Sequence, residues 1–204
     1  MTTQPINRIL FFDTETTGLI PKDLDPEKFP HIIQLSFIEY DLSSNTILKT
    51  YNQYINVSET VVISDEITTI TGITREKCNT GVPIEEALIE FYNSYWNADA
   101  IVAHNISFDK QMIINEYKRH SQKFEFLFPL YILRLETQIE FCTMRMGLLH
   151  TNYWIINKNG KSFKKNPKLN ELYETLFETK LENAHDALVD TTACMDCFKK
   201  MYKN

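Results

Sequence analysis

The chain has no excess of positive charge. Its 27 acidic residues outnumber 21 basic ones, for a net charge of −6. That argues against a nucleic-acid protein working through bulk basicity, although it leaves room for a local basic surface. No apolar run approaches the roughly 20 residues needed to span a bilayer, and residues 1–8 show no basic-then-apolar signal pattern. Cysteine is scarce. Cys78, Cys142, Cys194 and Cys197 do not have the spacing of a secreted disulfide framework. Cys194 and Cys197 form a C-x-x-C inside a helical pattern, with no second pair to complete a zinc site, and read as buried helix residues. These absences predict an intracellular protein of a reducing compartment, cytoplasm or nucleus, with no membrane partner. There is no repeat, low-complexity tract or linker, so residues 1–204 read as one domain. Hydrophobic residues at 43% and charged residues at 24% are enough for an ordinary core.

The stretch Ile9-Leu10-Phe11-Phe12 reads as a strand buried on both faces. A loop follows over 18–30. The pattern then predicts a strand over 31–41, with Ile33, Leu35 and Phe37 on one face. A third strand is expected over 49–57, with Tyr51, Ile55 and Val57 in phase, completing an antiparallel meander. Ser64 is a helix N-cap candidate. Pro83 opens an amphipathic helix along Ala87, Leu88, Phe91 and Tyr95. Ala100–Ala103 is a short apolar strand, after which Ser107 can cap a helix running through Met112 and Tyr117. The stretch 121–140 is the least legible. A fifth strand is expected over 139–144, a hairpin at Asn159-Gly160, and final helices over Leu169–Phe177 and Ala187–Tyr202. This order predicts an α/β domain with helices packed on a mixed sheet.

Chemistry enters at the end of the first strand. Asp13 and Glu15 lie two apart and so point to the same side of an extended chain. Two carboxylates fixed there repel each other and lose solvent, a cost that a bound divalent cation offsets; the alternative is a strand end with solvated acids. Two later places offer partners. His104-Asn105-Ile106-Ser107-Phe108-Asp109 passes from a strand end into a helix start, where α/β sheets place their ligand sites. In His185-Asp186-Ala187-Leu188-Val189-Asp190, Asp186 can cap the last helix, placing Asp190 one turn along in its favourable N-terminal field. Taken singly, Asp109 and Asp190 read as helix-start acids and His185 as a polar loop residue.

In order, Phe12-Asp13-Thr14-Glu15-Thr16-Thr17-Gly18, then the segments ending in Asp109 and Asp190, resemble the DEDDh (DnaQ-like) 3′–5′ exonucleases, best known from the epsilon proofreading subunits of bacterial DNA polymerase III. Cys142-Thr143-Met144-Arg145 and Pro167-Lys168-Leu169-Asn170-Glu171-Leu172-Tyr173 also look like family sequence, so the resemblance covers nearly the whole chain. It implies a ribonuclease H-like mixed five-stranded sheet with helices packed on both faces. It also implies two divalent cations, Mg²⁺ or Mn²⁺, held by Asp13, Glu15, Asp109 and Asp190. Asp13 would bridge the two, Glu15 and Asp190 would complete the nucleophile side, and Asp109 would anchor the second largely through water. His185 would be the general base. Thr16, Gly18, Leu19, Asn105 and Phe108 correspond to contacts with the terminal nucleotide; for Phe108 the alternative is core packing.

The implied activity is release of nucleoside 5′-monophosphates from the 3′ end of single-stranded nucleic acid, DNA before RNA, in proofreading or repair with a DNA polymerase or repair partner. RNA trimming and a non-catalytic nucleic-acid-binding or polymerase-associated module are the alternatives. Asp13-Thr14-Glu15-Thr16 loosely resembles the nucleophile motif of haloacid-dehalogenase-type phosphatases, but that chemistry has no use for His185 or Asp109. Separately, residues 141–170 hold six basic residues and no acid (Arg145, Lys158, Lys161, Lys164, Lys165, Lys168), a window of +6 that leaves −12 on the rest. It reads either as a solvated loop or as a clamp on a phosphate backbone.

Overall fold

The structure, a computed structural model, describes residues 6–22, 28–124, 134 and 138–202. Parts of the 18–30 loop and most of the 121–140 stretch lie outside these residues, as do both ends of the chain.

The apolar run of β1 (Arg8–Thr16) divides by parity between two cores. Leu10 and Phe12 face one, and Ile9 and Phe11 face the other. β2 (Ile32–Asp41) and β3 (Thr46–Asn56) follow as the antiparallel meander, with Asp13 opposite Ser36 and Glu15 opposite Gln34. β3 starts at Thr46, earlier than its apolar alternation suggests. Ile33, Leu35 and Phe37 share the first core, and Tyr51 packs against it. α1 (Asp65–Thr71) is capped by Ser64, whose Oγ accepts from Ile67 N–H at 3.3 Å. α2 (Arg75–Asn79) follows.

Among the described residues the sheet has six strands rather than five. The extra one, β4 (Val82–Pro83), pairs in parallel with Ile55 and Asn56 of β3 at the sheet edge, where a proline does no harm. Gly81 makes this approach feasible: a Cβ there would lie 2.3 Å from the Tyr54 carbonyl oxygen. α3 (Ile84–Asn97) starts directly after Pro83 and lays Phe91 edge-on against Phe12, with ring centroids 5.2 Å apart. Truncating Phe12 to alanine in such a core costs roughly 3–5 kcal/mol.

β5 (Ala100–Ala103) runs parallel to β1 on its other side, and β6 (Ile139–Cys142) runs parallel to β5. The sheet order is therefore β4-β3-β2-β1-β5-β6. α4 (Ile106–Arg119) leaves β5 and packs with α3 on the Leu10/Phe12 face. β6 ends at Cys142, short of the expected Met144, because the chain turns into α5 (Thr143–Gly147). The buried Thr143 hydroxyl lies 3.0 Å from His104 Nδ1 and 3.4 Å from Cys194 Sγ, contacts that hold the turn.

β7 (Trp154–Ile156) and β8 (Ser162–Lys164) form the expected hairpin as a separate two-stranded sheet. α6 (Leu169–Phe177) and α7 (Ala187–Tyr202) complete the fold. α7 places Cys194, Met195 and Phe198 on the Ile9/Phe11 face, so helices cover both sides of the sheet. All four cysteines are free and buried. Among the described residues no helix is long and apolar enough to cross a membrane.

Candidate active site

The parity of β1 decides which side each acid faces. Asp13 and Glu15 continue the Ile9/Phe11 row, towards α7. Thr14 continues the Leu10/Phe12 row, towards α4. On that second side Asp109, in the first turn of α4, is 3% exposed. Its Oδ1 accepts from Thr14 N–H at 3.0 Å and Thr14 Oγ1 at 2.8 Å. Asp109 is thus fastened to the strand between the two acids. The cap of α4 is Asn105, in the left-handed region at φ 65°, and makes no side-chain cap bond. Ser107, expected as the cap, falls inside the first turn and its hydroxyl donates to Asn105 Oδ1 at 3.3 Å. The tight left-handed step at Asn105 starts the helix two residues early.

At the other helix start, Asp186 caps α7 as expected, its Oδ1 accepting from Leu188 N–H at 3.0 Å and Val189 N–H at 3.2 Å. The buried Gln34 of β2 donates from Nε2 to Asp186 Oδ2 at 3.3 Å and accepts Ala187 N–H at 3.3 Å. Gln34 stands opposite Glu15 in the sheet, so it berths the start of α7 beside that acid. One turn along, Asp190 Oδ2 accepts from His185 N–H at 3.1 Å. This bond is set by the left-handed backbone of His185 (φ 72°), a conformation histidine adopts more readily than most residues. Glu15, His185 and Asp190 each place a ligand atom within 4.8 Å of the others.

The charges acting on these groups are mostly each other. Burial raises the Asp13 carboxyl well above its ordinary range, and Asp109, Asp190, Glu15 and Asp186 raise it further. Glu15 is pushed up to about 8 by burial, then by Asp190, Asp109 and Asp186. Burial takes Asp109 up to about 7 against the lowering effect of its two Thr14 bonds. Asp190 is also raised, chiefly by burial. The structure therefore brings Asp13, Glu15, Asp109 and Asp190 together with a fifth carboxylate, Asp186, that the sequence marked only as a cap. Asp190 Oδ1 is buried without a hydrogen-bond partner among the described residues. Such an oxygen, in a cluster of mutually repelling carboxylates, fits a hard divalent cation.

Asp13, His185 and Asp190 open onto a cleft of about 390 Å³ walled on one side by residues 166–170. Of the five residues expected at the terminal nucleotide, Asn105 lines this cleft. Thr16 is buried, its hydroxyl spent on Gly18 O at 2.7 Å. Gly18 has open space where a side chain would be, and Leu19 projects 84% exposed. Phe108 is partly buried against the first core, as the packing alternative has it. Sequence reasoning did not single out His104. Its Nε2 lies 3.1 Å from Pro167 O and its Nδ1 3.0 Å from Thr143 Oγ1, tying β5 and α5 to the cleft wall. Burial lowers its pKa to about 4, so the ring is neutral and Nε2–H donates to the carbonyl.

The family model described as "Exonuclease" (RNase_T) matches residues 10–198. The chain is 30% identical over 109 residues to "DNA polymerase III PolC-type" of Streptococcus sanguinis, a match covering 53% of this chain and 7% of that protein. It is 30% identical over 125 residues to the protein of the same description from Mycoplasmopsis pulmonis, covering 61% and 8%. Among solved structures, E. coli Exonuclease I in complex with a dT13 oligonucleotide superposes with a TM-score of 0.68 at 18% identity, over 97% of this chain and 41% of that one. The Methylocaldum szegediense Exonuclease I gives 0.69 at 19%, again over 97% and 41%. These structures share the fold. The chain spans less than a tenth of the length of the PolC-type relatives and about two fifths of the Exonuclease I chains.

Proposed function

The chain belongs to this exonuclease family, and from that premise we propose that it is a metal-dependent 3′–5′ exonuclease, acting through residues 1–204 as one domain. It would hydrolyse phosphodiesters at the 3′ end of single-stranded nucleic acid and release nucleoside 5′-monophosphates. The observation that carries this is the convergence of Glu15, His185 and Asp190 ligand atoms within 4.8 Å of one another, with the half-buried Asp13 in the same field of carboxylates.

Asp13, Glu15, Asp109 and Asp190 would hold two divalent cations, Mg²⁺ or Mn²⁺. Asp13 would serve both, Glu15 and Asp190 the side of the attacking water, and Asp109 the second. When bound, such ions supply a nucleophile at neutral pH and neutralise charge on the phosphate and the leaving oxygen. The protein's own part is placement. Thr14 holds Asp109 in register with Asp13, and Gln34 holds the start of α7 against Glu15. His185 would accept the proton of the attacking water, work suited to an imidazole. One of its ring nitrogens lies within 4.8 Å of a carboxylate oxygen of Glu15 and of Asp190.

DNA is favoured as substrate. Exonuclease I was solved with dT13 and dA16 oligonucleotides, and the matched relatives are DNA polymerases by description. That description also supports a role alongside DNA synthesis or repair. The test is a time course on 5′-labelled single-stranded DNA, duplex DNA and RNA with Mg²⁺, Mn²⁺ or EDTA, with the products identified. Stepwise shortening from the 3′ end, metal-dependent and lost in Asp190→Ala, is the expected result. Release of inorganic phosphate, or full activity in Asp190→Ala, would overturn the assignment.

A further inference from the structure

The β7–β8 hairpin belongs to neither core and forms its own two-stranded sheet, an element with little stability in isolation. It is nevertheless carefully built. At its tip Asn157 Oδ1 accepts from Asn159 N–H at 3.0 Å and Lys161 N–H at 2.9 Å, and Gly160 takes φ +75°. At its base Lys165 N–H donates to Tyr153 O at 2.8 Å, and Lys165 Nζ reaches Glu171 at 2.6 Å.

What the hairpin displays is unusual for a surface. Trp154 is 58% exposed, Ile156 74% and Phe163 43%. Register places Trp154 opposite Lys164 on one face and Ile155 opposite Phe163 on the other. The indole is fixed by its Nε1–H bond to Asn152 Oδ1 at 2.7 Å. Lys165 is spent on Glu171, whereas Lys158, Lys161 and Lys164 have no acidic partner among the described residues.

Exposed apolar groups of this size mark an interaction surface. Protein interfaces are depleted in lysine at their centres. Aromatics interleaved with unpaired lysines suit a strand that offers both flat bases and phosphates. Charge points the same way. The hairpin lies within the acid-free window of +6, while the rest of the chain carries −12 and the cleft floor is carboxylate. A polyanion is repelled by most of this molecule and attracted here. Lys164 is also only two residues from Asn166 in the cleft wall, a span of at most about 7 Å.

We propose that the β7–β8 hairpin is a strand-holding arm, in which Trp154 stacks on bases and Lys158, Lys161 and Lys164 hold phosphates of the single strand whose 3′ end lies in the cleft. This rests on the exonuclease reading of the cleft, and the experiment separates the two. Trp154→Ala/Lys158→Ala/Lys161→Ala/Lys164→Ala is compared with the unaltered chain on an oligo-dT strand and on the p-nitrophenyl ester of thymidine 5′-monophosphate, which beyond the one phosphodiester to be cleaved has no further phosphate or base for the arm to hold. The ester should be cleaved at an unchanged rate, while half-saturation by the strand rises at least tenfold. The slope of log affinity against log salt should fall by about 2, for three lost phosphate contacts. In a Trp96→Phe background, where Trp154 is the sole tryptophan, oligo-dT should quench its fluorescence. Unchanged half-saturation and salt slope, or no quenching, would overturn the arm. Failure of the unaltered protein to cleave either substrate would overturn the reading of the cleft, and the binding titration would still decide for or against the arm.

Discussion

Thr14 donates to the same oxygen of Asp109 twice, from its backbone at 3.0 Å and its hydroxyl at 2.8 Å. The two residues are 95 positions apart, and this pair of bonds fixes α4 to the strand that carries Asp13 and Glu15. Both bonds lower the Asp109 pKa, against the burial that takes it up to about 7. Thr14→Val keeps the shape and the backbone bond but removes the hydroxyl. The fold should survive, with Asp109 more readily protonated and the metal held more weakly. We expect about a 10-fold or larger rise in the Mg²⁺ concentration for half-maximal activity. The acid limb of the pH–rate profile should move to higher pH. A metal titration across pH 6–9 measures both.

The buried acids also make stability depend on pH when no metal is present. Glu15 and Asp109, raised from 4.5 to about 8 and from 3.8 to about 7, keep their protons longer in the folded chain than in the unfolded one. The folded state then binds more protons, so stability falls as pH rises through that window. His31 and His104, both lowered from 6.5 to about 4, act in the opposite direction but only below pH 6.5. Between pH 6.5 and about 8 the acids act without that opposition. The melting temperature in EDTA should fall over this interval, and Mg²⁺ should largely abolish the fall. Asp13→Asn removes one of the repelling charges. It should therefore melt higher than the parent in EDTA at pH 8, at about 2–4 °C per kcal/mol gained, while losing activity and the metal-induced rise. A lower melting temperature for that variant would mean that repulsion is not what strains the site.

Much of this site could be read from sequence because its signals are local. Four apolar residues followed by alternating acids define β1 and its end, and the spacing of Asp186 and Asp190 places one at the cap of α7 and the other a turn later. The Asn159-Gly160 pair likewise gave the hairpin. What stayed hidden depends on partners distant in the chain. Gln34 interrupts an apolar strand for the sake of Asp186, 152 residues away. The run from Cys142 to Met144 continues a strand pattern until the Thr143 hydroxyl meets His104 and Cys194. β4 is two residues long, and its only sign in the sequence is Gly81, which has to pass under the Tyr54 carbonyl.

His185 combines a backbone duty with a proposed chemical one. Its N–H holds Asp190 Oδ2 at 3.1 Å from a left-handed conformation. His185→Asn keeps a residue that tolerates that conformation and preserves the backbone bond, so it removes only the ring. Turnover should drop by about 10²–10⁴-fold with strand binding unchanged. His185→Ala should show the same catalytic loss plus a small drop in melting temperature. A variant that binds the strand poorly but turns it over at the parental rate would contradict the general-base role.

His104 should matter for the wall of the cleft rather than for proton transfer. It is neutral, its Nδ1 accepts from Thr143 Oγ1 at 3.0 Å and its Nε2–H donates to Pro167 O at 3.1 Å, so it links three segments that are far apart in sequence. His104→Phe fills the same space and loses both bonds, leaving the Pro167 carbonyl without this donor. The cost should be about 1–3 kcal/mol. One readout distinguishes a titrating buried histidine from a mere filler. The parent resists protonation here down to about pH 4 while the unfolded chain takes its proton near 6.5. The stability gained from a neutral His104 is therefore complete above pH 6.5 and is lost as pH falls towards 4. His104→Phe should flatten the melting-temperature slope over that interval. With residues 166–170 less firmly held, half-saturation by the strand should rise by a larger factor than kcat falls. A variant that lost kcat alone would place His104 among the reacting groups instead.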